Sequence, residues 1–278
     1  MKRNIKILLT VSSVALLLAG CRGGRGRGSS ATVPTSGDTP TTVAPTSVDP
    51  SDYYASIDSS LSGQSLTNAL NALNNTKRVF QVGYDEMMNK PAQGFYVTDP
   101  GASGDKYSIT SFYSGTERKG TSGMNREHVW PNSRGGNLVE DDIHMIRPTI
   151  TAENGSRGNS FFVEGKKTEH DGWDPAMESF GDATYRGDSA RIVFYAAIAA
   201  TSLTLIDEET DATSNNTMGK LSDLLKWNLN YPVTDRERIR NEGAQSLQGN
   251  RNPFIDHPEY ACKIWGSYNS ATRQICGM

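Results

Sequence analysis

Residues 22–52 contain almost no large apolar side chain, and this confines any folded core to the residues that follow them. The stretch is made largely of Gly, Ser, Thr and Pro. Such a segment cannot bury enough apolar surface to offset the conformational entropy that is lost on ordering. We therefore expect a lipidated cysteine and a flexible linker over residues 21–52, and a single domain over residues 53–278. A domain of that length can enclose a sizeable core.

An export signal precedes the linker. Basic residues at the start of the chain are followed by an apolar run from Ile7 to Leu18. The run is too short to span a bilayer comfortably and is typical of a signal peptide. It ends in Leu-Ala-Gly-Cys21, which is similar to the cleavage site of bacterial lipoproteins. We therefore expect a signal peptide over residues 1–20 and a lipid anchor on Cys21, on the extracellular face of the cell membrane. The alternative is an ordinary signal peptide with a chance cysteine and a secreted product.

The spacing of apolar residues in the domain predicts a mixed α+β fold. Residues 107–113 are strand-like, with β-branched and aromatic side chains. Helical spacing or capping patterns occur at four places: Leu66 to Leu73 with Ser65 as N-cap, residues 189–205 with Asp188 as N-cap, Leu221 to Asn228, and the capping-box pattern from Thr234 to Glu237. Helices therefore predominate in the second half of the chain.

The net charge argues against a general affinity for polyanions. Lys and Arg number 28 against 31 Asp and Glu, which gives −3. Contacts to phosphate groups require clustered Lys and Arg side chains. Any site for nucleic acid would therefore be a local patch of arginines.

Three side chains in the segment 125–162 are of the types that phosphodiester hydrolysis needs. The reaction requires a base that activates water and a cation or acid that offsets charge on the leaving oxygen. An imidazole with an ordinary pKa of about 6.5 is a suitable base at neutral pH. Carboxylate and amide oxygens are ligands for Mg²⁺. His128, Glu127 and Asn154 meet these needs, although their spacing leaves open a surface ion pair for the first two and a turn or cap role for Asn154.

Two more pairs in this segment share a face if the local structure is regular. Asp142 and His144 are two residues apart, which places them on one face of an extended strand. Asn154 and Arg157 are three apart, which places them together on a helix.

Local stereochemistry constrains how such residues could meet. Neighbours on a regular strand point to opposite faces. Glu127 and His128 could therefore serve one site only at a strand end, or with the metal lying between the directions of their side chains. Gly155 and Gly158 disfavour a helix around Asn154 by about 1 kcal/mol each relative to alanine. Close approach of a substrate backbone would explain both glycines.

Several motifs in one order form a more specific pattern than any single pair. They are Arg126-Glu127-His128-Val129-Trp130-Pro131, Asp142-Ile143-His144, Pro148, Asn154-Gly155-Ser156-Arg157-Gly158-Asn159, Tyr185 to Arg191 with Phe194-Tyr195, and Gly249 to Glu259. In these motifs the chain resembles the endonuclease I family of secreted bacterial nucleases, over about residues 53–265. The resemblance implies an α+β domain with a ββα-metal (His-Me finger) core surrounded by helices.

The resemblance also implies a role for each matching residue. His128 would be the general base, and Glu127 and Asn154 would bind Mg²⁺, with Mn²⁺ or Ca²⁺ as alternatives. The cation would stabilise the transition state and the 3′-oxygen leaving group, which gives 5′-phosphate ends. Supporting positions fall on Glu140, Asp142 and His144.

The family also places an arginine on the scissile phosphate. This chain is shorter before Glu140 than the Cys-rich family members, and the candidates for that arginine are Arg157 first and Arg134 second. The family's several disulfides are missing as well. One disulfide, Cys262–Cys276, could form in an exported chain, and two unpaired thiols are the alternative.

These observations predict a metal-dependent endonuclease of low sequence specificity that acts on DNA. RNA stays open as a substrate because no residue can be assigned to reading the 2′-hydroxyl. Contacts to phosphates carry no sequence information. The competing hypothesis is a surface lipoprotein that binds nucleic acid without cleaving it, against which the intact set Glu127, His128 and Asn154 argues. We expect a monomer that is attached to the membrane through Cys21.

Overall fold

The computed structural model describes residues 50–89, 93–168, 172–210 and 216–278. The predicted signal peptide, the lipidation site Cys21 and nearly all of the predicted linker lie outside these residues. The described part contains ten α-helices, three 3₁₀ helices and eight short strands. The prediction of a mixed α+β fold is confirmed.

The helices, α1 to α10 in chain order, lie mostly in the second half of the chain. They are Pro50–Tyr53, Gly63–Lys77, Phe95–Thr98, Thr151–Arg157, Tyr185–Ala199, Leu221–Asn230, Asp235–Gln248, Pro253–Asp256, Tyr260–Trp265 and Ser270–Cys276. The 3₁₀ helices are Asn132–Arg134, Gly136–Val139 and Pro175–Met177. No helix of the described residues combines the length and the hydropathy needed to cross a bilayer.

The strands, β1 to β8, pair two by two. They are Ser108–Thr110, Glu117–Lys119, Met124–His128, Ile146–Ile150, Lys167–Thr168, Gly172–Trp173, Thr204–Leu205 and Thr217–Met218. The pairs β1–β2, β3–β4 and β5–β6 are antiparallel, whereas β7 and β8 are parallel. Only Ser108–Thr110 of the predicted strand 107–113 forms a strand.

Helix α5 runs through the core because its sequence is apolar on nearly every side. Its residues from Gly187 to Ile198 are all buried, and it packs against α2, α6 and α8. The predicted N-cap at Asp188 is wrong, since the helix begins at Tyr185. The Asp188 carboxylate instead accepts a hydrogen bond from Arg236 at 2.9 Å, and this long-range ion pair explains the buried acid.

The other predicted helices are present. Helix α2 covers the predicted leucines but begins at Gly63, with Ser62 rather than Ser65 as N-cap. Helices α6 and α7 match their predictions. The capping box of α7 is formed in both directions between Thr234 and Glu237.

Both ends of the described domain are tied to its C-terminal helices. Helix α1 begins at Pro50, three residues before the predicted domain start. The buried Tyr54 hydroxyl donates to Asp256 at 2.8 Å. Cys262 and Cys276, whose pairing the sequence left open, form a disulfide that joins α9 to α10.

A buried ion cluster joins the start of β4 to α3 and α7. Asp99 accepts hydrogen bonds from Arg147, with the Nη2–Oδ1 distance at 2.9 Å, and from Arg240. Arg240 also donates to the Ile146 carbonyl oxygen at 2.6 Å. All three charged side chains are almost fully buried. One carboxylate therefore compensates two guanidinium groups, and the cluster fixes the position of β4.

Replacing Asp99 by asparagine is expected to lower the free energy of unfolding by about 3–5 kcal/mol, because it leaves two buried guanidinium groups without a carboxylate. Urea denaturation of the full chain measures the loss. Arg238→Gln is the matched control, since it breaks an exposed ion pair with Asp235 that contributes at most about 1 kcal/mol. Equal losses in the two variants would show that the cluster is not a stabilising unit.

Candidate active site

Strands β3 and β4 and helix α4 are neighbours both in the chain and in space. In the antiparallel β3–β4 pair, Glu127 lies opposite Arg147 and His128 opposite Ile146. Helix α4 begins at Thr151, directly after β4. The Thr151 backbone N–H donates to the Gly123 carbonyl oxygen at 3.0 Å, which holds the start of α4 against the start of β3.

His128 and Asn154 lie in one cleft. The cleft has a volume of about 540 Å³, and its walls also include Tyr84, Arg126 and Asn132. His128 is the last residue of β3 and Asn154 lies in the middle of α4. The sequence placed these two residues 26 positions apart, and the β3–β4–α4 arrangement brings them together.

The His128 imidazole is largely enclosed and only weakly partnered. Its Nε2 lies 3.7 Å from Oε2 of Glu140 and makes no hydrogen bond to any residue that the structure describes. The Tyr84 ring packs against it, with 5.0 Å between ring centroids. Burial lowers the pKa of His128, against the opposing charge of Glu140. A neutral imidazole with an unpartnered nitrogen is suited to accept a proton.

Glu127 points to the other side of β3, into the core, as strand alternation requires. Its Oε1 accepts a hydrogen bond from the Tyr113 hydroxyl at 2.9 Å and lies 3.5 Å from Nε of Arg157. Burial raises the pKa of Glu127 to about 7, against the opposing effect of Arg157. Glu127 does not line the cleft that holds His128, and its carboxylate reaches helix α4 through Arg157.

The placement of Arg157 contradicts the prediction that it binds the scissile phosphate. The side chain is fully buried. Its Nη2 donates to the Val129 carbonyl oxygen at 2.7 Å and its Nη1 to the Gly158 carbonyl oxygen at 2.9 Å. With its guanidinium tied to backbone carbonyls and facing Glu127, Arg157 positions that carboxylate rather than meeting a substrate.

Arg134, the second candidate for the phosphate contact, lies at the end of a 3₁₀ helix and does not line the cleft. Its Nε donates to the Asn159 carbonyl oxygen at 2.8 Å, and its guanidinium carbon lies 4.5 Å from the Phe161 ring centroid. These contacts hold the loop after α4.

The two glycines of the α4 motif have local roles. Gly155 lies within α4, where a methyl group would meet no atom within 4 Å. Gly158 has φ of +56° and ends the helix, a conformation that favours glycine. The helix therefore forms despite both glycines, and the chain turn at Gly158 explains the second one.

Asp142 and His144 lie in a turn before β4 rather than on an extended strand, so strand alternation does not place them on one face. They nevertheless belong to one buried hydrogen-bond network. The Gln248 side chain donates to Asp142 at 2.7 Å, and Nε2 of His144 donates to the Asn250 carbonyl oxygen at 3.1 Å. The network connects the turn to the C-terminal end of α7.

Acidification is expected to weaken the fold through His144. Burial lowers its pKa to about 4 from an ordinary value of 6.5. The unfolded chain then binds the proton more strongly, so the free energy of unfolding falls as the pH drops from about 6.5 to about 4, by about 3 kcal/mol in all. Urea midpoints of wild type and His144→Gln across this range measure the effect. Their difference should shrink as the pH falls, and parallel profiles would contradict the assignment.

Comparison with known proteins places this site in a family. The Endonuclease I family model matches residues 64–259, which include β3, β4, α4 and the whole cleft. The chain belongs to the Endonuclease I family. The predicted nuclease family is therefore confirmed.

Two relatives are extracellular ribonucleases of Bacillus. The chain is 41% identical to the protein of Bacillus amyloliquefaciens over 160 residues, which cover 51% of this chain and 53% of that protein. It is 39% identical to the protein of Bacillus subtilis (strain 168) over 160 residues, or 51% of this chain and 54% of that protein. The chain thus spans about half the length of the curated relatives it matches.

The oxygen donors of this Endonuclease I member fit a hard divalent cation. Glu127 has its Oε1 bonded to the Tyr113 hydroxyl, and the half-buried Asn154 lines the cleft. Burial raises the pKa of Glu127 to about 7 even beside Arg157, so a bound cation would further stabilise its charged form. No three His, Cys, Asp or Glu side chains converge in the described part of the chain. An ion here would be held by one carboxylate, one amide and several waters, as Mg²⁺ prefers.

Three residues beside the site were missed by the sequence reasoning. Tyr84 and Arg126 line the cleft, and Tyr113 binds Glu127 from the core. Arg126 stands inside the family motif, so its position beside Glu127 was a usable signal. Tyr113 has φ of +77°, a strained conformation for a residue with a bulky side chain. No sequence pattern predicts this conformation.

Proposed function

We propose that this chain is an exported, metal-dependent endonuclease with His128 as general base. The observation that carries the proposal is the His128 imidazole, whose Nε2 has no hydrogen-bond partner among the described residues. It shares a cleft with Asn154 and lies next to Glu127 on β3. Membership of the Endonuclease I family supports the reaction class, and the names of the Bacillus relatives support export. The β3–β4–α4 unit is the proposed ββα-metal core.

His128 takes the proton from the attacking water in this proposal. The enclosed imidazole is neutral at neutral pH because burial lowers its pKa. Once protonated, it is stabilised by the Glu140 carboxylate, which lies 3.7 Å from Nε2. The Tyr84 ring restricts the imidazole plane. Glu140 and Tyr84 therefore position the base.

Glu127 and Asn154 would hold the cation, Mg²⁺ with Mn²⁺ or Ca²⁺ as alternatives. A bound divalent cation offsets the charge that develops on the phosphate and on the 3′-oxygen, which leaves 5′-phosphate ends. Tyr113 and Arg157 orient the Glu127 carboxylate through their contacts with Oε1. Asp142 and His144 support the site indirectly, by fixing the turn that leads into β4.

The proposed substrates are DNA and RNA with low sequence specificity. Water is the nucleophile in this mechanism, so a 2′-hydroxyl is not required. The relatives' printed names, extracellular ribonuclease, favour RNA as one of the two substrates. A cleft that meets the phosphate backbone gives little sequence readout.

We further propose that the mature chain is a monomer attached by lipid at Cys21, with residues 21–52 as a tether between the membrane and the domain. The sequence Leu-Ala-Gly-Cys21 after an apolar run supports lipidation. Mass spectrometry of the N-terminal peptide from membranes tests it. A Cys21→Ser chain that stays membrane-bound would contradict the anchor.

The proposed activity is tested with the full chain and end-labelled DNA and RNA of the same sequence. Both are expected to be cut in Mg²⁺, with 5′-phosphate ends, and cutting is expected to stop in excess chelator. Cleavage that persists in chelator would contradict the metal. RNA products that end in 2′,3′-cyclic phosphate, with no cleavage of DNA, would show attack by the 2′-hydroxyl and remove water as the nucleophile.

A further inference from the structure

The cleft offers very little positive charge to a polyanionic substrate. Among the described residues that line it, Arg126 is the only Lys or Arg. Arg157 is buried against backbone carbonyls on the far side of β3. Phosphoryl transfer gains much of its rate from positive groups that meet the phosphate. Arg126 is therefore the candidate phosphate contact among the residues of the cleft that the structure describes.

Strand geometry places Arg126 on the same side as His128. The two residues are two apart on β3, so their side chains emerge on one face, about 6.6 Å apart along the strand. Both line the same cleft. A phosphate bound by Arg126 would therefore be either the scissile phosphate beside His128 or the next phosphate along the strand.

The Arg126 guanidinium is held in a defined plane, and its carboxylate partner is exposed. Its central carbon lies 4.0 Å from the centroid of the Tyr84 ring. Its Nη1 donates to the Tyr84 carbonyl oxygen at 3.3 Å and lies 3.0 Å from Oδ1 of Asp85. The Asp85 side chain is 83% exposed and that of Arg126 is 24% exposed. An ion pair with so exposed a partner contributes little, so a competing anion can replace Asp85 at small cost.

We propose that Arg126 binds a phosphate of the nucleic-acid strand, and that Asp85 occupies this guanidinium until the phosphate replaces it. The inference rests on the proposed function, since it names a substrate contact of the same cleft. Guanidinium groups bind phosphate in a bidentate manner, which a single carboxylate oxygen at 3.0 Å does not match. The Tyr84 ring, which packs on the guanidinium, holds the guanidinium in place during the exchange.

The test measures binding and cleavage separately, in the full chain. The probe is a fluorescent single-stranded oligonucleotide, with its dissociation constant determined in chelator at several salt concentrations. Arg126→Gln is expected to weaken binding about tenfold or more and to make the slope of log Kd against log salt shallower by about 0.7–1, the value of one lost phosphate contact. Arg126→Lys should retain the slope and bind with intermediate affinity.

Asp85→Asn separates a phosphate contact from a structural ion pair. If a phosphate replaces Asp85 on Arg126, the Asp85→Asn variant should bind the oligonucleotide about two- to fivefold more tightly, because the competing carboxylate is removed. Arg238→Gln, which breaks an exposed ion pair with the same 3.0 Å distance to Asp235, is the matched control and should leave binding unchanged. An Arg126→Gln chain with wild-type affinity and slope, or an Asp85→Asn chain weakened as much as Arg126→Gln, would overturn the proposal. A wild type that binds with these differences but does not cleave would instead contradict the proposed nuclease activity.

Discussion

Replacing His128 by alanine is expected to slow phosphodiester cleavage by about 10²–10⁴-fold, which is the usual contribution of a general base. The imidazole makes no hydrogen bond through its buried Nε2, so its removal leaves no other buried polar group without a partner. The fold should therefore survive. Single-turnover rates on a defined oligonucleotide at saturating Mg²⁺ measure the loss, because they report the chemical step rather than product release.

The control for this variant is His257→Ala. The His257 side chain is 30% exposed and contacts Glu259 and Tyr260, in the loop between α8 and α9. Its loss should leave the cleavage rate unchanged. Thermal melts of both variants check the fold. A His128→Ala chain that cuts at the wild-type rate would show that His128 is not the base and would contradict the proposed mechanism.

The parts of this fold that the sequence predicted are those set by short-range interactions. The capping box of α7 needs only Thr234 and Glu237, and the leucine spacing of α2 reports one helical face. The start of α5 was misplaced for the opposite reason. Asp188 has the local character of an N-cap, but its carboxylate is used by Arg236, 48 residues away, and tertiary pairing of this kind overrides local propensity.

The same distinction applies to the site. Motif order alone led to His128 and Asn154, and the β3–β4–α4 unit brings them to one cleft. Motif order could not show that Arg157 faces the core, because its partners are the Val129 carbonyl and Glu127 on another element. Tyr84 escaped notice because its contact with Arg126 joins residues 42 positions apart.

Replacing Glu127 by glutamine is expected to remove the stabilisation that Mg²⁺ gives to the fold and to lower cleavage by more than about 100-fold. Loss of a group that only supports a metal ligand costs about 10–100-fold, so loss of a ligand should cost more. Glutamine keeps an acceptor for the Tyr113 hydroxyl but leaves the buried Arg157 guanidinium without its carboxylate, so the melting temperature without metal is expected to fall. The stabilisation by Mg²⁺ is therefore taken as the shift in melting temperature within each variant. Melting temperatures with and without saturating Mg²⁺ measure the bound ion independently of activity.

Glu153→Gln is the matched control, since it alters a second buried carboxylate in the same unit. Glu153 lies on α4 and accepts hydrogen bonds from the hydroxyls of Ser111 and Thr149, at 2.8 and 3.2 Å. It does not line the cleft, so this variant should keep the full response to Mg²⁺ and cleave normally. If both variants lose the response equally, the effect belongs to any buried acid of the β3–β4–α4 unit. If Glu127→Gln is still stabilised by Mg²⁺, the cation does not need the Glu127 carboxylate and is held elsewhere.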